Sequence, residues 1–156
     1  MKTIHQNFMT PKGLSLRLPT GSLSLNRHQA AINIYTDASV HQDWKSAWAY
    51  FVERVRWNPC GRLPGHIQVT LAELHAIHAT LTWQEAQDRQ DTIIHSDSMA
   101  AIIILAQTKT RTYPEITTKI INSAFTLSQR GSLTTLHWVP SHINIEENEW
   151  ADTNTW

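Results

Sequence analysis

The sequence predicts an α/β fold, a mixed sheet with helices packed against it. Three observations predict it. β-rich runs separated by turn residues fill the stretch from Ile32 to Val69. From Thr70 onward, segments with apolar residues at helical spacing alternate with two further short strands. The chain is 156 residues long, with 41% apolar and 17% charged residues, which is one domain's length and a globular composition.

Residues 1–30 lack steady periodicity and hold Pro11, Gly13, Pro19 and Gly21. They read as an N-terminal extension or linker, although Leu14, Leu16 and Leu18 alternate with Ser15 and Arg17 and admit a short strand. Residues 31–156 read as the domain. Its first strand is Ile32 to Thr36, ending at Asp37-Ala38-Ser39. A second spans Ala47 to Val55, a turn follows at Asn58-Pro59-Cys60-Gly61, and a third spans Gly65 to Val69. Together they suggest an antiparallel meander. Thr70 with Glu73 reads as a capping box, opening a helix that carries Leu74, Ile77 and Leu81 and ends near Arg89. Thr92 to Ser96 is a buried strand ending at Asp97, and Ser98 to Ala106 an apolar helix. Pro114 opens a further helix with Ile116, Ile120, Ile121, Ala124 and Leu127 on one face and Gly131 just past its end. Leu133 to Val139 is the last strand, before a Pro140-Ser141 turn, a polar loop with His142, and a helix start that delivers Asp152.

Composition excludes several classes. Formal net charge is zero, so the chain lacks the strong basic footprint of a self-sufficient nucleic-acid binder. Cys60 is the single cysteine, which rules out an intrachain disulfide or a cysteine-rich zinc site. No apolar run follows Lys2 as a secretory signal requires, and none is long enough to span a membrane. The expected location is intracellular, in cytoplasm or nucleus.

Asp37 and Asp97 each end a strand, and Glu73 sits in the first turn of a helix. If the first and fourth strands are parallel neighbours, the two aspartates lie side by side at the carboxyl edge, where such sheets place ligands. Asp152 would join them from the final helix. Four gathered carboxylates repel one another, and oxygen-seeking divalent cations relieve that repulsion. Mg²⁺ is the usual choice, and two such ions form a clamp for in-line attack at phosphorus. Taken singly, Glu73 reads as a capping partner, Asp37 as a turn residue and Asp97 as a helix cap; the joint placement favours the metal reading.

The stretches Tyr35-Thr36-Asp37-Ala38-Ser39, Ala72-Glu73-Leu74-His75-Ala76, His95-Ser96-Asp97-Ser98, and Trp138-Val139-Pro140-Ser141-His142 through Asn148-Glu149-Trp150-Ala151-Asp152 resemble, in order and spacing, the motifs of type 1 ribonuclease H. The resemblance covers about residues 32 to 152. It implies a ribonuclease H-like mixed five-stranded sheet, three antiparallel strands then two parallel, and cleavage of the RNA strand of an RNA–DNA hybrid to 5′-phosphate and 3′-hydroxyl ends. It implies metal ligation by Asp37, Glu73, Asp97 and Asp152. Two Mg²⁺ ions are expected with substrate, Mn²⁺ being a substitute. It further implies proton movement or product release by His142, and nucleic-acid contacts by Ser39, Ser98 and Asn148.

The sequence departs from the family pattern at Ala38, Asn144 and Glu147, where glycines are usual, and at Met99, where a glutamine is usual. The link from Gln107 to Thr112 is too short for a basic protrusion, Lys109 and Arg111 being its only cations. The chain stops at Trp156, so the final helix is expected to be truncated. These features resemble the segment of a reverse-transcribing element, with a reverse transcriptase or other upstream domain as partner. The competing reading is a catalytically silent module of the same fold that binds nucleic acid or braces a polyprotein. A proofreading-type exonuclease is disfavoured by Ser39 where an acidic residue would stand. His75, His78 and His95 read as structural, the cluster Arg54, Arg56 and Arg62 as a solvated face or phosphate contact, and Trp48 and Trp83 as core.

Overall fold

A computed structural model of the chain describes residues 7–10, 13–17, 30–43, 45–107 and 112–140. The strands are β1 (Asn7–Thr10), β2 (Gly13–Arg17), β3 (Ile32–His41), β4 (Lys45–Val52), β5 (Cys60–Leu63), β6 (Thr92–Ser96) and β7 (Thr134–Trp138). The helices are α1 (Val69–Glu85), α2 (Met99–Ala106) and α3 (Pro114–Gln129). They build one sheet in the order β1-β2-β7-β6-β3-β4-β5.

The five expected strands are contiguous in that sheet. β3, β4 and β5 are antiparallel neighbours, while β6 runs parallel to β3 and β7 parallel to β6. The segment read as an extension adds two more strands. β1 and β2 form a hairpin whose second strand pairs antiparallel with β7, matching Leu16 to Leu136. The alternation at Leu14 and Leu16 signals β2. β7, as an edge strand, would expose a row of unpaired backbone groups, and the hairpin pairs them.

Alternation sorts the sheet's two faces. Ile34, Ile94 and Leu136 are fully buried; Ile94 and Leu136 meet Leu74, Ile77, Ile102 and Ile120 of the helices, and Ile34 packs with Ile32, Tyr50 and Val52. Beside this core, Ile32, Tyr50 and Val52 pack with Trp48 and Trp83, as the sequence suggests for both tryptophans. Helix α3 starts on Pro114, whose fixed φ and missing N–H suit a first turn, and ends before Gly131 at φ 81°.

Several boundaries differ from expectation, each for a physical reason. β3 continues past Asp37 to His41, because β4 pairs with it as far as His41↔Lys45. The third strand is Cys60–Leu63 and not 65–69. Gly61 lets β5 lie against the Trp48 indole, and Pro64 with Gly65 at φ 72° then turns the chain away. The capping box does not form. Gln68 stands at the N-cap without a side-chain capping bond, its Oε1 accepting instead from the Tyr113 hydroxyl, and Glu73 turns into the interior. Ser98, by contrast, caps α2 by accepting from the Ala101 N–H at 3.2 Å.

At the amino ends of β6 and β7 the C-terminal end of α1 is bound by one buried amide. Gln84, 1% exposed, donates to the Gln90 and Leu133 carbonyls at 2.7 and 3.2 Å. It accepts from the Thr92 and Thr134 hydroxyls at 2.7 and 2.8 Å.

Candidate metal centre

Strand register builds the centre. The parallel ladder of β3 and β6 closes with Tyr35↔His95. Asp37 and Asp97 each follow two residues later, so both stand at the same height beyond the carboxyl end of that ladder. Helix α1 packs across β3 and brings Glu73, near its N-terminal end, over the same place. One carboxylate oxygen from each of Asp37, Glu73 and Asp97 lies within 4.8 Å of the others.

The Ala38 N–H joins two of these groups, donating to Asp37 Oδ1 at 2.9 Å and to Glu73 Oε1 at 3.1 Å. Glu73 is 4% exposed, and its other oxygen, Oε2, is buried without a hydrogen-bond partner. Burial pushes the Glu73 carboxyl well above its ordinary range, and the charges of Asp37 and Asp97 push it further; the Ala38 N–H opposes them. A buried carboxylate with an open oxygen, beside two more acids, is a poor apoprotein arrangement. It fits a hard divalent cation, which takes oxygen ligands and cancels the repulsion. Nothing in the donor set favours a soft metal, since no thiol or imidazole is among the three ligands.

The backbone around Asp97 is held from three sides. Val139 N–H donates to the Ser96 carbonyl at 2.9 Å, Ser98 N–H to Ser96 Oγ at 3.1 Å, and the Trp138 indole N–H to the Asp97 carbonyl at 3.1 Å. Sequence reasoning quotes Trp138 only as part of a motif and misses this contact. Its signal is an indole at the end of the strand beside Asp97, which needs an acceptor when half-buried.

The other predicted site residues are placed as follows. Ser39 is half-buried on β3, and its Oγ has no hydrogen-bond partner. Ser98 caps α2 beside Asp97. His142, Asn148 and Asp152 lie outside the described residues. His75 and His78 are half-buried on α1, and burial depresses both, most of all through desolvation. They join no metal-binding group of three among the described residues. Of the arginines, Arg54 bonds Gln90 Oε1 and the Ala30 carbonyl, and Arg56 lies 5.9 Å over the Phe51 ring. Both serve the fold at the sheet end remote from the carboxylates. No helix among the described residues is long and apolar enough to cross a membrane.

Comparison with known families agrees with the geometry. The family model described as RNase H matches residues 29–155, most of the chain and all of the carboxylate set. A comparison with curated proteins gives no match.

Proposed function

The chain belongs to the RNase H family, and from that premise we propose that it is a metal-dependent endonuclease hydrolysing the RNA strand of RNA–DNA hybrids. Water attacks in line with the scissile bond, and the products carry 5′-phosphate and 3′-hydroxyl ends. The observation that carries this reading is the meeting of Asp37, Glu73 and Asp97, from two strands and a helix, within 4.8 Å.

Asp37, Glu73 and Asp97, with Asp152 from the final segment, are the residues proposed to hold two divalent ions, Mg²⁺ by preference and Mn²⁺ in its place. When bound, such ions draw charge from phosphate oxygens and make water a stronger nucleophile near neutral pH. The residues of the chain do the positioning. The Ala38 N–H fixes the Asp37 and Glu73 oxygens relative to each other. Trp138 and Ser96 hold the Asp97 backbone, so its carboxylate is presented from a rigid strand end. Ser39 and Ser98 flank the carboxylates and are proposed, with Asn148, to touch the nucleic acid. Contact with the RNA 2′-hydroxyl is what would select the RNA strand. His142 is proposed to move a proton or release product. An upstream domain, such as a reverse transcriptase, would add grip that the chain's zero net charge does not provide.

The test is cleavage of a strand-labelled RNA–DNA hybrid in Mg²⁺ or Mn²⁺, with Asp97→Asn alongside. The expected result is cutting of the RNA strand alone, abolished in the variant. Cutting that survives Asp97→Asn, or that falls on the DNA strand, overturns the proposal. A folded, cation-binding but inactive protein points to the silent module.

A further inference from the structure

On the face of the sheet turned away from the helices, residues Asn33, Tyr35, His95 and His137 alternate with the buried core positions of β3, β6 and β7. His95 and His137 are register partners on the parallel strands β6 and β7. Their Nδ1 atoms approach to 3.1 Å, with the rings inclined at 74°. A chain of hydrogen bonds decides which protons they carry. Asn33 Nδ2 donates to Glu53 Oε2 at 2.9 Å, which turns Asn33 Oδ1 toward His95 Nε2, also at 2.9 Å. An amide oxygen only accepts, so His95 Nε2 bears the proton and His95 Nδ1 bears the lone pair. That lone pair faces His137 Nδ1.

This resembles the arrangement of a metal-ligating histidine: one ring nitrogen is anchored as a donor to a carbonyl, and the other presents a lone pair that can exchange its hydrogen bond from His137 for a metal ion. We propose that His95 Nδ1 and His137 Nδ1 form a binding site for a late first-row transition ion of the Zn²⁺ class, separate from the acidic centre. Two nitrogens bound tetrahedrally to one Zn²⁺ at about 2.0–2.1 Å stand roughly 3.3–3.4 Å apart, so the pair opens by about 0.2–0.3 Å and the rings tilt until both lone pairs converge on the ion. The hydrogen between the two Nδ1 atoms leaves as the ion enters. His137 takes up a proton on Nε2 from water, so both ligands remain neutral imidazoles and no net charge is lost. Water fills the remaining positions. Tyr35 stacks on the His95 ring at 4.6 Å and holds its plane. The donor set, two nitrogens without a carboxylate, selects against Mg²⁺, so the two sites divide the cations by chemistry.

The experiment is a titration of the ¹⁵N-labelled full chain with ZnCl₂ and, separately, MgCl₂, following histidine ring nitrogens by NMR. The expected result is movement of the His95 and His137 Nδ1 signals with Zn²⁺ and not with Mg²⁺. His137→Gln should remove the response, Asn33→Leu should weaken Zn²⁺ binding about tenfold or more by freeing the anchored ring, and Asp37→Asn should leave it intact. Zn²⁺ shifts that spare both rings, or that vanish in Asp37→Asn while surviving in His137→Gln, overturn the proposal. The readout does not depend on hybrid cleavage, so either proposal can fail alone.

Discussion

Replacing Gln84 with Met keeps the length of the side chain and removes all four of its buried hydrogen bonds. The cost follows from what each partner has left. The Leu133 carbonyl retains the Thr92 N–H at 2.9 Å and is not orphaned. Thr92 and Thr134 are register partners, so one hydroxyl can turn to the other. That leaves one hydroxyl hydrogen without an acceptor and the Gln90 carbonyl without its 2.7 Å donor. Each such group costs about 1–3 kcal/mol, and the more favourable burial of Met offsets about 1 kcal/mol, giving a net loss of about 3 kcal/mol. For a domain of this size that lowers the melting temperature by roughly 6–12 °C. Urea unfolding should show a lower midpoint at unchanged slope, the mark of altered stability without altered compactness. The network sits at the amino ends of β6 and β7, opposite the carboxylates, so activity per folded molecule should stay at the parent level. A stability loss below about 1 kcal/mol would refute the reasoning, because it would mean the four bonds are not what ties α1 to the sheet.

Other predictions draw on separate parts of the molecule. Gly61→Ala would set a Cβ about 2.4 Å from the Trp48 ring, so it should destabilise by about 1–3 kcal/mol and change Trp48 fluorescence; unchanged unfolding would refute the contact. MgCl₂ or MnCl₂ should raise the melting temperature of the parent chain, and Asp97→Asn should lose most of that increment, as differential scanning fluorimetry can check. Burial raises the Tyr50 hydroxyl from 10.0 to about 12. Its folded pKa lies above its unfolded one, so the stability it contributes is full below pH 10 and is lost as pH rises toward 12. Tyr50→Phe should flatten that alkaline decline in denaturant midpoints, and an equally steep decline in the variant would exclude Tyr50 as its source.

Much of this fold is legible in the sequence where one local signal dominates. The spacing of Ile116, Ile120, Ala124 and Leu127 between Pro114 and Gly131 defines α3, and the β-branched run Thr92–Ile94 defines β6. The signals fail where pairing with a distant strand decides. Asp37 reads as a strand end, yet β4 carries β3 on to His41. Leu14 and Leu16 alternate over too few residues to outweigh the surrounding Pro and Gly, and only pairing with β7 makes β2 certain. Glu73 fits a capping box by spacing alone; its burial beside Asp37 depends on how α1 lies across the sheet. The three carboxylates are legible because each falls inside a recognisable motif, Asp97 just past the end of β6, Glu73 near the start of α1 and Asp37 within β3. The union of His95 with His137 is not, because it depends on the register of two strands separated in sequence by α2 and α3.

The pairing of β2 with β7 also bears on how the chain assembles. Leu16 and Leu136 come from nearly opposite ends of the sequence, so their contact closes a very long loop. Such contacts slow folding, because the entropy of closure is spent before the pairing rewards it. During synthesis the β1–β2 hairpin emerges before β7 and must wait for it. β3, β4 and β5 pair through short connections in the meantime. The carboxylate centre therefore has an order of arrival: Asp37 and Glu73 come first, Asp97 next, and Trp138, which holds the Asp97 carbonyl, only with the strand that also captures the waiting hairpin. Completion of the sheet and bracing of the site are one late event.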